Sequence, residues 1–405
     1  MSEQRIAIIC FHSCPLARLG TRDTGGMSVY VQELARGLGR LGFSVDIYTR
    51  DHEHCKSQVV GLDEHVRVVH LKSGPVGATK EDLFSHLPLF LSKLQEFQKH
   101  HDLTYNLVHS HYWLSGWVGN ALAAEWRVPH VTTFHTLAEV KTRARMGEKE
   151  AGPRSATEHR VATAADKIIV STAHEREALR RLYGAQQEKV CVVPGGVDLA
   201  LFQPGDQVAA RDRLGLNGHC TLLYVGRLDP IKGLEVLMRS VASMEAPKTV
   251  RLLVVGGGDG QDQDTQRMER LTQELAIQDR VDFLGSLEHE LLPLYYQAAD
   301  VCVVPSYYES FGLVALEAMA CGTPVVASRV AGLQTIVRDN RSGYLVPWHC
   351  PDAFADRLEV LLANDALRES MGKEAQIIAQ GMGWDETAAG VADVYAGLGV
   401  EPTIQ

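Results

Sequence analysis

No run of roughly 18 consecutive apolar residues occurs in this sequence, so no segment reads as a membrane-spanning helix. The amino terminus, Met1-Ser2-Glu3-Gln4, lacks the basic flank and apolar centre of a secretion signal, and a cytoplasmic chain is the expectation. Positive charge is in short supply. Against 50 Asp and Glu stand 40 Lys and Arg, a formal net charge of −10. That balance excludes a general nucleic-acid binder but allows a local basic pocket for a small anion. Paired thiols are also missing. The eight cysteines include no Cys-x-x-Cys, and some lie in apolar runs such as Val301-Cys302-Val303-Val304. Reduced, buried thiols are expected rather than disulfides or a zinc site. Biased tracts are absent, and 405 residues are too many for one ordinary core but suit two of about 200 each.

What is present is an alternation of short Val- and Ile-rich runs with longer amphipathic stretches. The first series of expected strands is Arg5–Phe11, Ser44–Tyr48, Val66–His70, Leu107–His109, His130–Thr133, Lys167–Val170 and Lys189–Val192. A second series runs Leu222–Gly226, Arg251–Val255, Val281–Leu284, Val301–Val304 and Pro324–Ala327. Expected helices between them include Met27–Leu41, Trp113–Trp126, Gly233–Met244 and Gln266–Ala276. Near-continuous apolar strands alternating with helices indicate α/β domains with parallel sheets covered on both faces. Pro and Gly punctuate the series once, at Val193-Pro194-Gly195-Gly196 and Gln203-Pro204-Gly205. The expected domains are therefore 1–203 and 204–380, followed by a terminal segment 381–405. Ligands of open parallel sheets bind beyond the carboxyl ends of the strands, and two such domains facing each other would make a cleft.

Three segments carry chemistry. Asp23-Thr24-Gly25-Gly26-Met27 lies between a strand and a helix, where paired glycines admit a ligand close to the backbone and the helix start offers N–H groups to an anion. A plain tight turn is the simpler alternative. Gly226-Arg227-Leu228-Asp229-Pro230-Ile231-Lys232-Gly233 closes the first strand of the second series. Two fixed cations beside a helix N-terminus form a clamp suited to a diphosphate, with no divalent metal required. Two surface cations are the alternative. Finally, Ser306-Tyr307-Tyr308-Glu309-Ser310-Phe311-Gly312-Leu313 leads into an apolar helix containing Glu317. A carboxylate in such a helix is costly unless it binds something. The alternative is a capping Glu309 and a solvated Glu317.

Other features are set aside. Gly256-Gly257-Gly258-Asp259-Gly260 breaks the dinucleotide pattern at Gln261 and reads as a loop. His109-Ser110-His111 and His52-Glu53-His54 are ligand-like pairs without a third ligand at metal spacing. The stripe Leu83, Leu87, Phe90, Leu94, Phe97 reads as core rather than membrane surface.

Together, Arg227 and Lys232, the Glu309/Glu317 pair and the Gly25-Gly26 turn resemble the retaining GT-B glycosyltransferases over nearly the whole chain. The resemblance implies two Rossmann-like domains with parallel sheets facing across a cleft, the second holding a nucleotide sugar and the first the acceptor. The terminal helix Trp384–Gly397 would cross back to the first domain. It implies that Arg227 and Lys232 bind a diphosphate, Glu317 the ribose and Glu309 the donor sugar. Gly26 and the backbone at Phe311, Gly312 and Leu313 would complete the donor site, with His135 facing the transferred sugar. His135, Arg227, Lys232 and Glu309 are thus the catalytic candidates.

A finer resemblance, through His12, Asp23 to Met27, Thr79-Lys80-Glu81, His109 to Trp113 and His135-Thr136-Leu137, is to the inositol-phosphate N-acetylglucosaminyltransferases of mycothiol biosynthesis. It implies an acceptor site of His12, Asp23, Gly25, Lys80, Tyr112, Thr136 and Arg154. Ser28 stands where that family has an asparagine, and similar segments occur in sucrose-phosphate synthases, so the acceptor stays open between two sugar-phosphate classes, with a lipid or glycan as a further alternative. The expected partners are a nucleotide sugar, uridine-linked, as co-substrate and a small anionic acceptor. No cofactor and no essential metal are implied, and a homodimer is left open.

Overall fold

In the computed structural model the described residues are 4–17, 25–52, 57–75, 78, 80–144, 152–245, 250–258, 262–347 and 350–402. They divide into two compact units, and the division falls between Pro194 and Gly195. The first unit also takes the end of the chain from Trp384 onward.

The first unit is built on an eight-stranded sheet of β1 (Arg5–Ile9), β2 (Ser44–Arg50), β3 (Val59–Asp63), β4 (Val66–Leu71), β5 (Leu107–His111), β6 (His130–Thr133), β7 (Lys167–Val170) and β8 (Val190–Val192). Its order is β3-β4-β2-β1-β5-β6-β7-β8, parallel except where β3 pairs antiparallel with β4. The central strands are buried nearly throughout, although polar residues interrupt the apolar runs of β2 and β5. The sequence pattern missed β3 because that edge strand alternates exposed and half-buried residues and has no apolar run. Leu83, Leu87, Phe90, Leu94 and Phe97 all lie in the core. Pro88 near the start of the helix Leu87–His100 and a 3₁₀ turn at Phe84–His86 divide that stretch into two helical pieces. The helix Trp384–Ala396 packs on the helix Gly26–Arg40 so closely that a side chain at Gly37 would meet Ala388. Tyr395 on it is fully buried and its hydroxyl lies 2.7 Å from His109 Nδ1.

The second unit carries a six-stranded, all-parallel sheet: β9 (Cys220–Val225), β10 (Val250–Val255), β11 (Val281–Gly285), β12 (Val301–Val304), β13 (Val325–Ser328) and β14 (Gly343–Val346), in the order β11-β10-β9-β12-β13-β14. The short, glycine-led β14 escaped the sequence pattern. Each described cysteine is a free thiol. No helix among the described residues is long and apolar enough to cross a membrane.

Both strand orders reverse direction once. In the first sheet the chain builds outward from β1 through β2 and β4, then returns to start again at β5 on the other side of β1. In the second it builds from β9 to β11 and returns at β12. Adjacent loops diverge at these switch points, beyond the carboxyl ends of β1 and β5 and of β9 and β12, leaving a crevice for a ligand.

Candidate active site

At the β9/β12 switch point stand Arg227, just past β9, and Glu309, past β12. The Tyr224 hydroxyl donates to the Arg227 carbonyl at 2.7 Å, fixing the loop as it leaves the strand. Asp229 Oδ1 accepts from Ile231 N–H and caps the 3₁₀ turn Pro230–Lys232, while its Oδ2 lies 3.6 Å from the Arg227 guanidinium. The turn ends at Gly233, in the left-handed region at φ 72°, where a Cβ would stand 2.0 Å from the Pro305 carbonyl oxygen. Only glycine lets these two loops touch. They meet through Lys232, whose Nζ donates to Glu309 Oε2 at 2.7 Å, and Ser306 Oγ donates to the same oxygen at 3.2 Å. Glu309 therefore pairs with a lysine and does not cap the helix.

The helix Leu313–Ala320 begins at Gly312, whose φ of 107° again suits only glycine. The N–H groups of its first turn lack carbonyl partners within the helix and form an anion-ready end. Phe311 is buried, and Leu313 is partly buried beside it. Glu317 is buried rather than solvated. Its Oε2 accepts from the Tyr296 hydroxyl at 2.8 Å, and His289 Nε2 lies 2.9 Å from its Oε1.

At the β1/β5 switch point, His12 follows β1 and Tyr112 follows β5. Their rings lie 4.4 Å apart. Tyr112 takes φ 77° as the helix Trp113–Trp126 begins, an uncommon conformation for a bulky residue. The Arg154 guanidinium lies 5.0 Å from the centre of the Tyr112 ring. It donates to Thr136 Oγ1 at 2.9 Å, to the Thr136 carbonyl at 3.0 Å and to Glu158 Oε1 at 2.7 Å. Glu158 is fully buried, and its other oxygen accepts from the Ala138 N–H and the Tyr183 hydroxyl. His12, Tyr112, Thr136 and Arg154 thus form one cluster.

Of the remaining residues expected at the acceptor, Asp23 lies outside the described residues. Lys80 begins the short helix Lys80–Leu83, and its side chain is outside the description. A side chain at Gly25 would meet no described atom within 4 Å, so packing does not explain that glycine. Gly26 opens the helix Gly26–Arg40 and is exposed.

His135 follows β6 and takes φ 60°. Among the described residues it holds no backbone carbonyl: its Nε2 lies 2.9 Å from His111 Nδ1, and the rings stack. Burial pushes the His135 imidazole down to about 3, and burial with neighbouring rings holds His109 and His111 well below their ordinary range. All three are neutral near pH 7. A neutral imidazole at His135 can donate or accept one hydrogen bond but brings no charge.

Residues 24–201 match the Glycosyltransferase Family 4 and residues 208–377 the Glycosyl transferases group 1 family. The D-inositol 3-phosphate glycosyltransferase of Xylanimonas cellulosilytica is 42% identical over 97% of this chain and 96% of its own length. The chain belongs to the group 1 glycosyltransferases. The D-inositol 3-phosphate glycosyltransferase of Corynebacterium diphtheriae is likewise 42% identical, over 98% of this glycosyltransferase and 95% of its own chain. Among solved structures, sucrose-phosphate synthase from Thermosynechococcus elongatus superposes with a TM-score of 0.91 at 38% identity, covering 98% of this chain and 99% of that one. Anabaena HepE in complex with UDP and glucose, at 19% identity and a TM-score of 0.77 over 97% and 100% of the two chains, shares the fold. The two parallel-sheet units are those of the GT-B architecture.

Sequence reasoning did not find Tyr296 and His289, which hold Glu317, nor Glu158, which holds Arg154. It met His111 as half of a metal-like pair and within the His109–Trp113 resemblance, without a role of its own. Tyr296 and His289 lie 21 and 28 residues from Glu317, beyond any local pattern, whereas Glu158 stands one helical turn after Arg154 and was within reach. Asp229 was within reach, one residue before the proline of its own turn.

Proposed function

We propose that this glycosyltransferase moves a hexose or N-acetylhexosamine from a uridine-diphosphate sugar to a hydroxyl of a small phosphorylated acceptor, an inositol phosphate first, with retention at the anomeric carbon. The Lys232–Glu309 pair at the β9/β12 switch point carries the donor half. An ammonium has three N–H donors, so Lys232 can keep Glu309 and still take a phosphate oxygen. Glu309 uses Oε2 for Lys232 and Ser306, and its Oε1 accepts from a hydroxyl of the donor sugar. Arg227 and the first turn of Leu313–Ala320, reached through Gly312 and Phe311, share the diphosphate with Lys232. The ribose hydroxyls use the second lone pairs of the Glu317 oxygens.

In the acceptor half, Arg154, Thr136 and Tyr112, with Lys80, offer cations and hydroxyls suited to a phosphate monoester. His12, Asp23 and Gly25 border the acceptor ring, and Gly26 the donor. The acceptor oxygen attacks the anomeric carbon on the face from which the nucleoside diphosphate leaves. A leaving phosphate oxygen takes its proton, so no protein base is required. Arg227, Lys232 and the helix end stabilise the charge developing on the diphosphate, the part a divalent metal plays elsewhere. His135, neutral, contacts the transferred sugar.

The names of the 42%-identical relatives support an inositol phosphate acceptor. The likeness to sucrose-phosphate synthase supports a second reading, fructose 6-phosphate, held by the same phosphate pocket. A mass-spectrometric screen tests both, with UDP-GlcNAc, UDP-glucose and GDP-mannose against inositol phosphate, fructose 6-phosphate and unphosphorylated sugars. Transfer to one phosphorylated acceptor, lost on Lys80→Ala, is expected and identifies the acceptor. Donor hydrolysis without reaction of any phosphorylated acceptor removes the phosphate pocket. An inverted product, read by NMR, removes the retaining mechanism.

A further inference from the structure

Three side chains with metal-ligand chemistry meet at the carboxyl edge of the first sheet, on a different group of residues from the His12–Arg154 cluster. Cys14 follows β1, His52 follows β2 and His70 lies near the end of β4. Within its own segment His52 has no set of ligands at metal spacing. The parallel order β4-β2-β1 supplies two more from other strands. One ligand atom from each residue lies within 4.8 Å of the other two. Cys14 Sγ and His70 Nε2 are already 3.3 Å apart, and the two imidazole rings have centroids 5.5 Å apart.

Tetrahedral zinc with bonds of about 2.0–2.3 Å holds neighbouring ligand atoms about 3.3–3.6 Å apart. The widest pair must therefore close by about 1 Å, within reach of side-chain rotation. The Leu16 backbone N–H donates to Cys14 Sγ at 3.4 Å and so orients the sulfur. His70 Nδ1 is buried without a hydrogen-bond partner among the described residues.

We propose that Cys14, His52 and His70 bind a divalent transition-metal ion of the zinc class, which clips the segment after β1 to the carboxyl ends of β2 and β4. One thiolate and two imidazoles select zinc-like ions over magnesium or calcium. Binding replaces the Cys14 S–H bond with a sulfur–metal bond and releases that proton to solvent. Both imidazoles donate a ring-nitrogen lone pair, and water fills the fourth position. The ion takes no part in the transfer itself. It steadies the strand end that carries His12.

The test uses the full chain, stripped with EDTA and titrated with cobalt(II). A sulfur-to-cobalt charge-transfer band and visible bands of tetrahedral intensity should saturate at one ion per chain, and zinc should abolish them. Cys14→Ser should remove the charge-transfer band. His70→Ala should weaken binding by more than about 100-fold, beyond the loss of an outer partner. Circular dichroism checks that both variants fold. The wild-type spectrum needs no variant: absence of the charge-transfer band overturns the site, as does a band that survives Cys14→Ser or binding unchanged by His70→Ala.

Discussion

Arg154 and Lys232 each pair with a glutamate near a switch point, but the two pairs sit in different surroundings. The Arg154 and Glu158 side chains are 4% and 0% exposed, and those of Lys232 and Glu309 are 25% and 15% exposed. Arg154 also donates twice to Thr136, and Glu158 also accepts from Ala138 and Tyr183, so the first pair is tied into the packing of its unit. The second pair is tied mainly to itself and to Ser306. A buried pair of this kind orients one guanidinium edge and resists rearrangement, whereas a half-open pair can admit a ligand between its partners at little cost. The Arg154 cluster is thus built into the core, and the Lys232–Glu309 pair is open enough to be rearranged by what binds.

The sharpest break in that contrast is expected from Arg154→Ala. It strands a buried carboxylate at Glu158 and should cost about 3–5 kcal/mol, read as a fall in thermal midpoint. Adding Glu158→Ala should recover part of the loss, and an unchanged midpoint in the single variant would contradict the buried-pair account. At Lys232 and the neighbouring Arg227 the expected effect moves from stability to turnover. Arg227→Ala or Lys232→Ala should lower kcat by roughly 10²–10³, as removing one preorganised donor does, with little change in midpoint. Near-normal turnover in either variant sinks its assigned role.

A third prediction contrasts two buried carboxylates. Glu317 has two side-chain partners, whereas Glu175 accepts one backbone N–H, from Ser171. Burial pushes the Glu175 carboxyl from 4.5 up to about 7. Between those values the folded chain holds a proton that the unfolded chain has lost. The stability it contributes is present below about 4.5 and is lost as pH rises through about 7, a swing on the order of 3 kcal/mol at most. Glu175→Gln should therefore gain stability over the parent between pH 5 and 8 in denaturant titrations, and a constant difference would rule this out. The smallest effect is expected of Tyr296→Phe, which removes one hydrogen bond to a charged group, about 1.5 kcal/mol. The donor KM should rise about tenfold while kcat holds. A loss confined to kcat would place Glu317 at the reacting centre instead.

Much of this arrangement was legible beforehand because the signals are local. Twelve apolar runs marked strands, and the pattern failed at β3, an edge strand whose alternate residues face solvent, and at β14, a buried strand that opens on glycine. Gly226–Gly233 and Ser306–Gly312 could be read as loops bearing ligand groups, since glycine and charge at a strand end have few other uses. The alternative of a solvated Glu317 failed because its partners, Tyr296 and His289, lie on the chain before β12. Cys14, His52 and His70 likewise show no common pattern along the chain.

The sequence by itself determined two parallel sheets, the loops that leave their carboxyl ends and the charges those loops carry, because apolar periodicity and turn chemistry act between near neighbours. Tertiary structure alone decided which side chains meet: Lys232 with Glu309, Arg154 with Thr136 and Tyr112, His111 with His135. Parallel crossovers carry the chain tens of residues away before setting the next strand beside the last, so these contacts depend on strand order, which no local pattern encodes.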